Sequence, residues 1–369
     1  MGQRICTRGR RTLAALLASL ATALLIFVAA LPAPAGAAGE TQIAIPRRIA
    51  YVTSSLAKPE PQVWAALGNG SEPRLLGPGS TPLLAPNGAL VGAALFGGEH
   101  GPSLAVYTVA GAAPLRVGNL ALQSAIPLAW SPDSRYLAVA LLSTAVKNIA
   151  KGSGLGILDT TTGTLTRIAT GAVYGASFAP DGSDRVVFGR AGSQNVSAMV
   201  DLYTAEASGA RLTRLTRDGR SLNPVWGPAG IAYDRERLRR NDAPVYQIWL
   251  RRTSGGAPRR LTSIRVRSLV SGLMPLAFSH DGTRLLAEFV GQDTSEAWTV
   301  RVRSGRARPV RVRGLPVVGG AISSDGARLL VYEGGQEGPA SGDTVVTVPF
   351  GGGRPTRLVA HAAQPSWNE

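Results

Sequence analysis

Residues 128–140, LAWSPDSRYLAVA, recur in altered form along the chain, and no other feature restricts the fold as strongly. Leu128-Ala129-Trp130 reads as a short apolar strand, Ser131-Pro132-Asp133-Ser134 as a turn, and residues 136–140 as an apolar strand returning beside the first. Pro132 presets φ for the second turn position, and the short Asp133 carboxylate can bond local backbone N–H groups. The fourth position favours a left-handed backbone, which glycine adopts without steric cost, so Ser134 departs from the rule.

Five further copies end their turns in glycine: Leu83-Leu84-Ala85-Pro86-Asn87-Gly88, Ser177-Phe178-Ala179-Pro180-Asp181-Gly182, Val225-Trp226-Gly227-Pro228-Ala229-Gly230, Ala277-Phe278-Ser279-His280-Asp281-Gly282 and Ala321-Ile322-Ser323-Ser324-Asp325-Gly326. Anchored on Leu84, Trp130, Phe178, Trp226, Phe278 and Ile322, the steps are 46, 48, 48, 52 and 44 residues. Paired strands at a period of about 40–50 residues mark a β-propeller. Two half-copies remain. Residues 364–369 read as a first strand lacking its partner, and residues 48–52 as a second strand lacking its first. Joined, they make a seventh unit. The sequence therefore predicts an all-β, seven-bladed propeller closed by its C-terminal strand, which leaves no open edge. The 332 residues after position 37 give about 47 per blade.

Ahead of the repeats, Arg4, Arg8, Arg10 and Arg11 precede an uncharged run over residues 12–39. This is the layout of an export signal, with small-x-small cleavage patterns at Ala33-Pro34-Ala35 and Ala35-Gly36-Ala37. Residues 1–37 are read as signal and 38–369 as propeller. Residues 13–31 are also just long enough to span a bilayer as an uncleaved anchor, the one route to a membrane in this reading. The single Cys6 precedes the apolar run, so a mature chain has no disulfide.

Each predicted blade continues with a third strand, at residues 62–67, 104–109, 155–159, 200–204, 246–250, 298–302 and 344–348. An Arg-aliphatic pair then marks a fourth strand: Arg74-Leu75, Arg116-Val117, Arg167-Ile168, Arg214-Leu215, Arg260-Leu261, Arg311-Val312 and Arg357-Leu358. Alternation turns the aliphatic residue inward and the arginine outward, where charge discourages edge pairing. Turns such as Ala179-Pro180-Asp181-Gly182, with tails such as Thr213-Arg214-Leu215-Thr216 and Arg259-Arg260-Leu261-Thr262, resemble the WD40-like (PD40) repeat of the TolB propeller family. The resemblance spans residues 47–369. It implies an extracytoplasmic propeller that binds protein partners, although the α/β domain that precedes the TolB propeller has no counterpart here and TolB has six blades. Related repeats occur in prolyl oligopeptidases, tricorn-type proteases and oligogalacturonate lyases.

Nothing in the residues points to a reaction. The nearest match to a nucleophile elbow, Gly175-Ala176-Ser177-Phe178-Ala179, falls in a predicted innermost strand. The three histidines, His100, His280 and His361, are assigned to loops on two different faces. Gly351-Gly352-Gly353 reads as a hairpin turn. We therefore expect no catalytic residue, cofactor or metal, and expect the chain not to be an enzyme; the rival reading is a carbohydrate-active or peptidase-related propeller enzyme.

Charge is the one feature that rises above fold. Residues 231–315 hold 17 Arg against 7 acids, and arginine dominates overall, with 3 Lys among 39 basic residues. Arg235, Arg237, Arg239 and Arg240 fall in a long second-to-third-strand loop, and Arg301 and Arg303 alternate with Val300 and Val302 along a predicted strand. Guanidinium groups suit carboxylate and phosphate alike. These six residues are the candidate contacts for a protein or anionic envelope partner, including anionic polymers and lipid head groups. Export argues against a physiological nucleic acid. The expected molecule is a monomeric, exported binding or scaffold module, with recognition on the long loops at residues 142–154, 234–244 and 333–343.

Overall fold

The computed structural model describes residues 47–55, 58–95, 103–117, 123–143, 153–191, 199–237, 245–265, 271–291, 294–334 and 343–368. The proposed signal, Cys6, His100, Arg239, Arg240 and most of the three long loops lie outside them. Among the described residues there are strands and no helix. The first sheet contains β1 (Arg48–Ser55), β2 (Lys58–Leu67) and β3 (Arg74–Pro78). The second is β4 (Ser80–Leu84), β5 (Leu90–Ala94), β6 (Leu104–Thr108) and β7 (Leu115–Val117), and the third is β8 (Gln123–Trp130), β9 (Tyr136–Ser143), β10 (Gly154–Asp159) and β11 (Thr164–Thr170). The fourth is β12 (Val173–Phe178), β13 (Arg185–Ala191), β14 (Val200–Glu206) and β15 (Thr213–Arg214).

An eight-stranded sheet follows. Its front half is β16 (Ser221–Gly227), β17 (Gly230–Arg237), β18 (Val245–Arg251) and β19 (Arg259–Arg260); its rear half is β20 (Ser271–Phe278), β21 (Arg284–Val290), β22 (Ser295–Arg301) and β23 (Arg306–Pro309). A short parallel pairing of Val245 with Ser271 and Tyr246 with Gly272 joins the halves. A two-stranded ribbon, β24 (Arg311–Val312) and β25 (Leu315–Pro316), leads to a last sheet of β26 (Val318–Ile322), β27 (Arg328–Glu333), β28 (Thr344–Pro349) and β29 (Thr356–Ala360). The final strand, β30 (Ala363–Trp367), returns to the first sheet, where Trp367 lies opposite Ile49 and Ser366 opposite Ala50. The first strands β4, β8, β12, β16, β20 and β26 pack side by side in chain order, with β30 between β26 and β4. Among the described residues no single sheet closes on itself.

All seven predicted third strands are present, as β2, β6, β10, β14, β18, β22 and β28. The repeated turn forms as read, with one addition. Ser131, Ser279 and Ser323 each donate to the turn aspartate, and each hydroxyl accepts the backbone N–H that opens the second strand, from Tyr136 (2.8 Å), Arg284 (3.0 Å) and Arg328 (2.9 Å). The serine and aspartate thus satisfy a turn whose backbone groups would otherwise be unpaired. Ser134 takes the left-handed conformation that glycine takes elsewhere, at φ 64°. Its hydroxyl accepts from Asn87 N (3.0 Å) in the neighbouring sheet's turn, an intersheet bond that glycine could not make.

The outer arginines are less regular than the sequence implied. Arg116, Arg167, Arg214, Arg260 and Arg357 occupy equivalent register positions on their outer strands. Arg74 sits one place earlier, opposite Ala65, and Arg311 belongs to the separate ribbon. In the tail motif it is the threonine that fixes the outer strand. Thr216 Oγ1 accepts from Leu202 N (2.9 Å) and donates to the buried Asp201 (2.9 Å), which also holds Arg214 at 2.5 Å; Thr262 does the same between Ile248 N and Gln247. Burial opposes charge on Asp201, but these donors outweigh it and its carboxyl titrates below the usual range.

Two substitutions test this architecture by thermal or denaturant unfolding. Thr216→Val orphans the Leu202 N–H and removes one of the donors to Asp201, and should cost about 1–3 kcal/mol, whereas an exposed Thr161→Val should cost much less. Trp367→Ala empties a nearly buried site and should cost about 3–5 kcal/mol; a variant melting within a degree of the parent would show that β30 contributes nothing to stability.

Candidate binding faces

Strand direction gives the molecule two distinct ends. First-to-second and third-to-fourth strand turns emerge at one, here the turn face; second-to-third loops and intersheet links emerge at the other, the loop face. Arg235 lies near the loop-face end of β17 and Arg237 ends that strand. Arg301 ends β22 at the turn face, opposite Arg284 at the start of β21, and Arg303 lies in the following turn rather than on the strand. The six predicted contact arginines therefore do not form one surface. Arg235 is also committed already: its Nε pairs with Asp218 Oδ2 (2.9 Å) and its guanidinium covers the Trp249 ring at 4.7 Å.

The remaining candidates are structural. Ser177 is buried, and its Oγ accepts from Trp226 N (3.0 Å) on the next first strand. His280 occupies a turn on the turn face, donating its backbone N–H to Ser324 O (2.8 Å), and His361 lies in the link before β30 on the loop face. Among the described residues no three His, Cys, Asp or Glu side chains are grouped to hold a metal ion.

The loop face carries what the sequence reading missed. Among the described residues the two most exposed large apolar side chains, Met199 at 71 % and Leu315 at 68 %, both lie there, beside the second-to-third loop of the fourth sheet and at the tip of the ribbon. Beneath this face, two acids occupy equivalent places. Trp226 pairs with Ile231 and Phe278 with Leu285, and three residues further along come Asp234 and Glu288. The corresponding residues elsewhere are Val52, Ala94, Ala140, Gly189 and Tyr332. Glu288 is fully buried; Ser295 Oγ donates to one oxygen and Gly319 N (3.1 Å) to the other, tying the rear half to the last sheet. Asp234 is buried with its Oδ1 unpartnered, while the Asn223 amide faces the carboxyl and reaches across to Met274 Sδ at 3.6 Å. A signal was present for Glu288, which interrupts an otherwise apolar run from Leu285 to Val290; Asp234 opens the charged run Asp234-Arg235-Glu236-Arg237 and does not stand out from it.

Burial pushes the Asp234 carboxyl up to about 7 and the Glu288 carboxyl up to about 8, against the donors that favour their anions. Tyr332 and Tyr246 are raised as well, by burial first and then by the neighbouring acids.

An unfolded chain ionises Asp and Glu near pH 4. Between there and about pH 7–8 the folded protein binds more protons, so stability should fall as pH rises, by up to about 1.4 kcal/mol per pH unit for each group. Carboxyls held low in the fold, such as Asp281 and Asp325, act oppositely and lose their contribution below about pH 4. Melting temperature should therefore peak near pH 4–5 and decline towards pH 8. The double variant Asp234→Asn, Glu288→Gln should flatten that decline; an unchanged slope would mean that neither acid enters the fold protonated.

Comparison with known proteins gives a fold. No family model matches the chain, and no curated protein matches it. Among solved structures, the propeller domain of the trilobed protease from Pyrococcus furiosus superposes with a TM-score of 0.60 at 12 % identity, covering 90 % of this chain and 97 % of that one. TolB from Acinetobacter baumannii gives 0.53 at 17 % identity over 87 % of this chain, which spans 66 % of the TolB chain. A puromycin-hydrolysing peptidase of Mycobacterium tuberculosis gives 0.58 at 15 % identity, with coverage of 93 % and 55 %. The fold is a TolB-like β-propeller. These likenesses correct the expectation that the chain is not an enzyme: the same fold is shared with peptidases, so its architecture does not separate a binding module from an enzyme.

Proposed function

We propose that this protein is an exported, seven-bladed TolB-like propeller that binds a protein partner of the cell envelope through its loop face. In this reading the five four-stranded sheets and the two halves of the eight-stranded sheet are the blades, and β30 closes the ring against β1. Export is supported by the arginines at positions 4, 8, 10 and 11 followed by the uncharged run over residues 12–39.

The observation that carries the assignment is the exposure of Met199 and Leu315 on the same face as the long second-to-third loops. The two side chains lie on separate sheets, and it is their place at the end of the scaffold where the long loops emerge that supports an interaction surface there. Arg235 and Arg237 lie at the loop-face end of β17 and serve as the polar rim of that face, where charges mainly steer encounter. Arg301 and Arg303 lie elsewhere and are not part of this surface.

Capture from cell-envelope extract should fall at least tenfold for Met199→Asp and for Leu315→Asp, with unchanged melting temperatures. Leu212→Asp is the matched control, since Leu212 is 44 % exposed but lies beside a third-to-fourth strand turn. Equal losses in all three would remove the loop face as the site.

A further inference from the structure

The chain enters its first sheet from the turn face. β1 starts at Arg48, opposite Leu67 at the turn-face end of β2, and Arg47 lies within electrostatic reach of Asp325 in the turn between β26 and β27. Residues 1–46, with their uncharged run over residues 12–39, therefore lead into the domain on this side.

The same face is arginine-rich across both halves of the eight-stranded sheet. Arg251 ends β18 and Arg252 follows it; Arg301 ends β22, Arg303 lies in the next turn and Arg306 opens β23. Among the described residues none of these five guanidinium groups makes a hydrogen bond or ion pair. Register makes the arrangement costly, because Arg301 faces Arg284 across one ladder and Arg306 across the other. Directly paired residues project on the same side of a sheet, and like charges so placed destabilise it. Arg284 is engaged, donating to Gly326 O (2.6 Å) and lying over the Phe350 ring at 5.2 Å, but Arg301 and Arg306 have no such outlet. The turns of these two halves contain one acid, Asp281, and its oxygens are taken by Ser279 and Thr283.

We propose that this turn face rests against an anionic lipid surface. Guanidinium groups carried on neighbouring turns at one end of a propeller form a broad, shallow array, which matches the phosphates of a bilayer better than a single small anion. Basic residues beside the point where a chain leaves a membrane are drawn to anionic lipid by about 1 kcal/mol each. Arg47 and Arg48, the first described residues, lie on this face, so in this proposal it is the side turned to the bilayer. The partner-binding reading uses the opposite face and does not depend on this one.

Vesicle sedimentation tests the proposal with the full chain and with the form that the expressing cell processes. Phosphatidylcholine vesicles are compared with vesicles containing about one-third phosphatidylglycerol. An apolar segment inserts into both, so the difference between them reads the arginine face. Binding to the anionic vesicles should be stronger and should weaken with salt as the screening length contracts. The triple variant Arg301→Gln, Arg303→Gln, Arg306→Gln should lose affinity for them on the order of a hundredfold, and the corresponding Glu variants more. Arg217→Gln, Arg220→Gln, Arg265→Gln removes the same charge from the loop face and should leave vesicle binding within about twofold. Melting curves establish that each variant is folded. No preference for anionic vesicles, or equal losses in both triples, would overturn the proposal. Release by inorganic phosphate at matched ionic strength would also overturn it, assigning a small-anion site instead.

Discussion

Every first strand in this molecule contains a β-bulge, and the rest of the assembly depends on it. The register slips between Ser80 and Leu83, Pro127 and Ala129, Tyr174 and Ala176, Leu222 and Val225, Pro275 and Ala277, and Gly319 and Ala321, and likewise in β30 opposite Ala50 and Val52. A bulge adds twist and frees backbone groups from the ladder. Freed groups then bond sideways. Ser366 Oγ accepts from Leu84 N (3.0 Å), Gln364 Oε1 from Thr81 N (2.9 Å), and Trp130 donates to Leu83 O (2.8 Å). Neighbouring sheets are thus joined through side chain and backbone together, not by apolar contact alone.

The same distortion places chemistry. Asn223 is held at φ 46° where β16 bulges, and its amide reaches both Asp234 in the front half of the eight-stranded sheet and Met274 in the rear half. Glu288, opposite Met274, then reaches Gly319 on β26. Two buried acids, an amide and a thioether form one polar seam beneath the loop face. Burial favours the neutral form of both carboxyls, which carries no charge to desolvate in an apolar interior.

What could be read from the sequence was what repeats. The turn residues recur at fixed offsets and the third strands at similar ones, and each copy supports the others. The bulges were less visible, although Pro82, Pro127, Pro224, Pro275 and Pro365 all fall in first strands, where a missing N–H implies a break in the ladder. The polar seam does not repeat, so only the lone Glu288 within the apolar run of β21 hinted at it. Charge counting failed for a different reason. Residues 231–315 are close in sequence, but a strand that ends at one face begins at the other, so Arg237 and Arg301 are carried to opposite ends of the molecule. Linear density of charge says little about surface density in a fold built from strands that run across it.

The return of β30 to β1 also shapes how the molecule comes into being. Arg48 N donates to Asn368 Oδ1 (2.6 Å) across a separation of 320 residues, and Trp367 reaches Ile49 across a similar span. During synthesis the intervening sheets can form hairpin by hairpin, but the inner edge of β1 has no native partner until the last residues appear. Through that interval it is an apolar strand with open hydrogen-bonding groups, able to accept the equivalent strand of another copy. Completion of the fold is thus a race between one distant intramolecular encounter and exchange between chains, and its outcome depends on concentration.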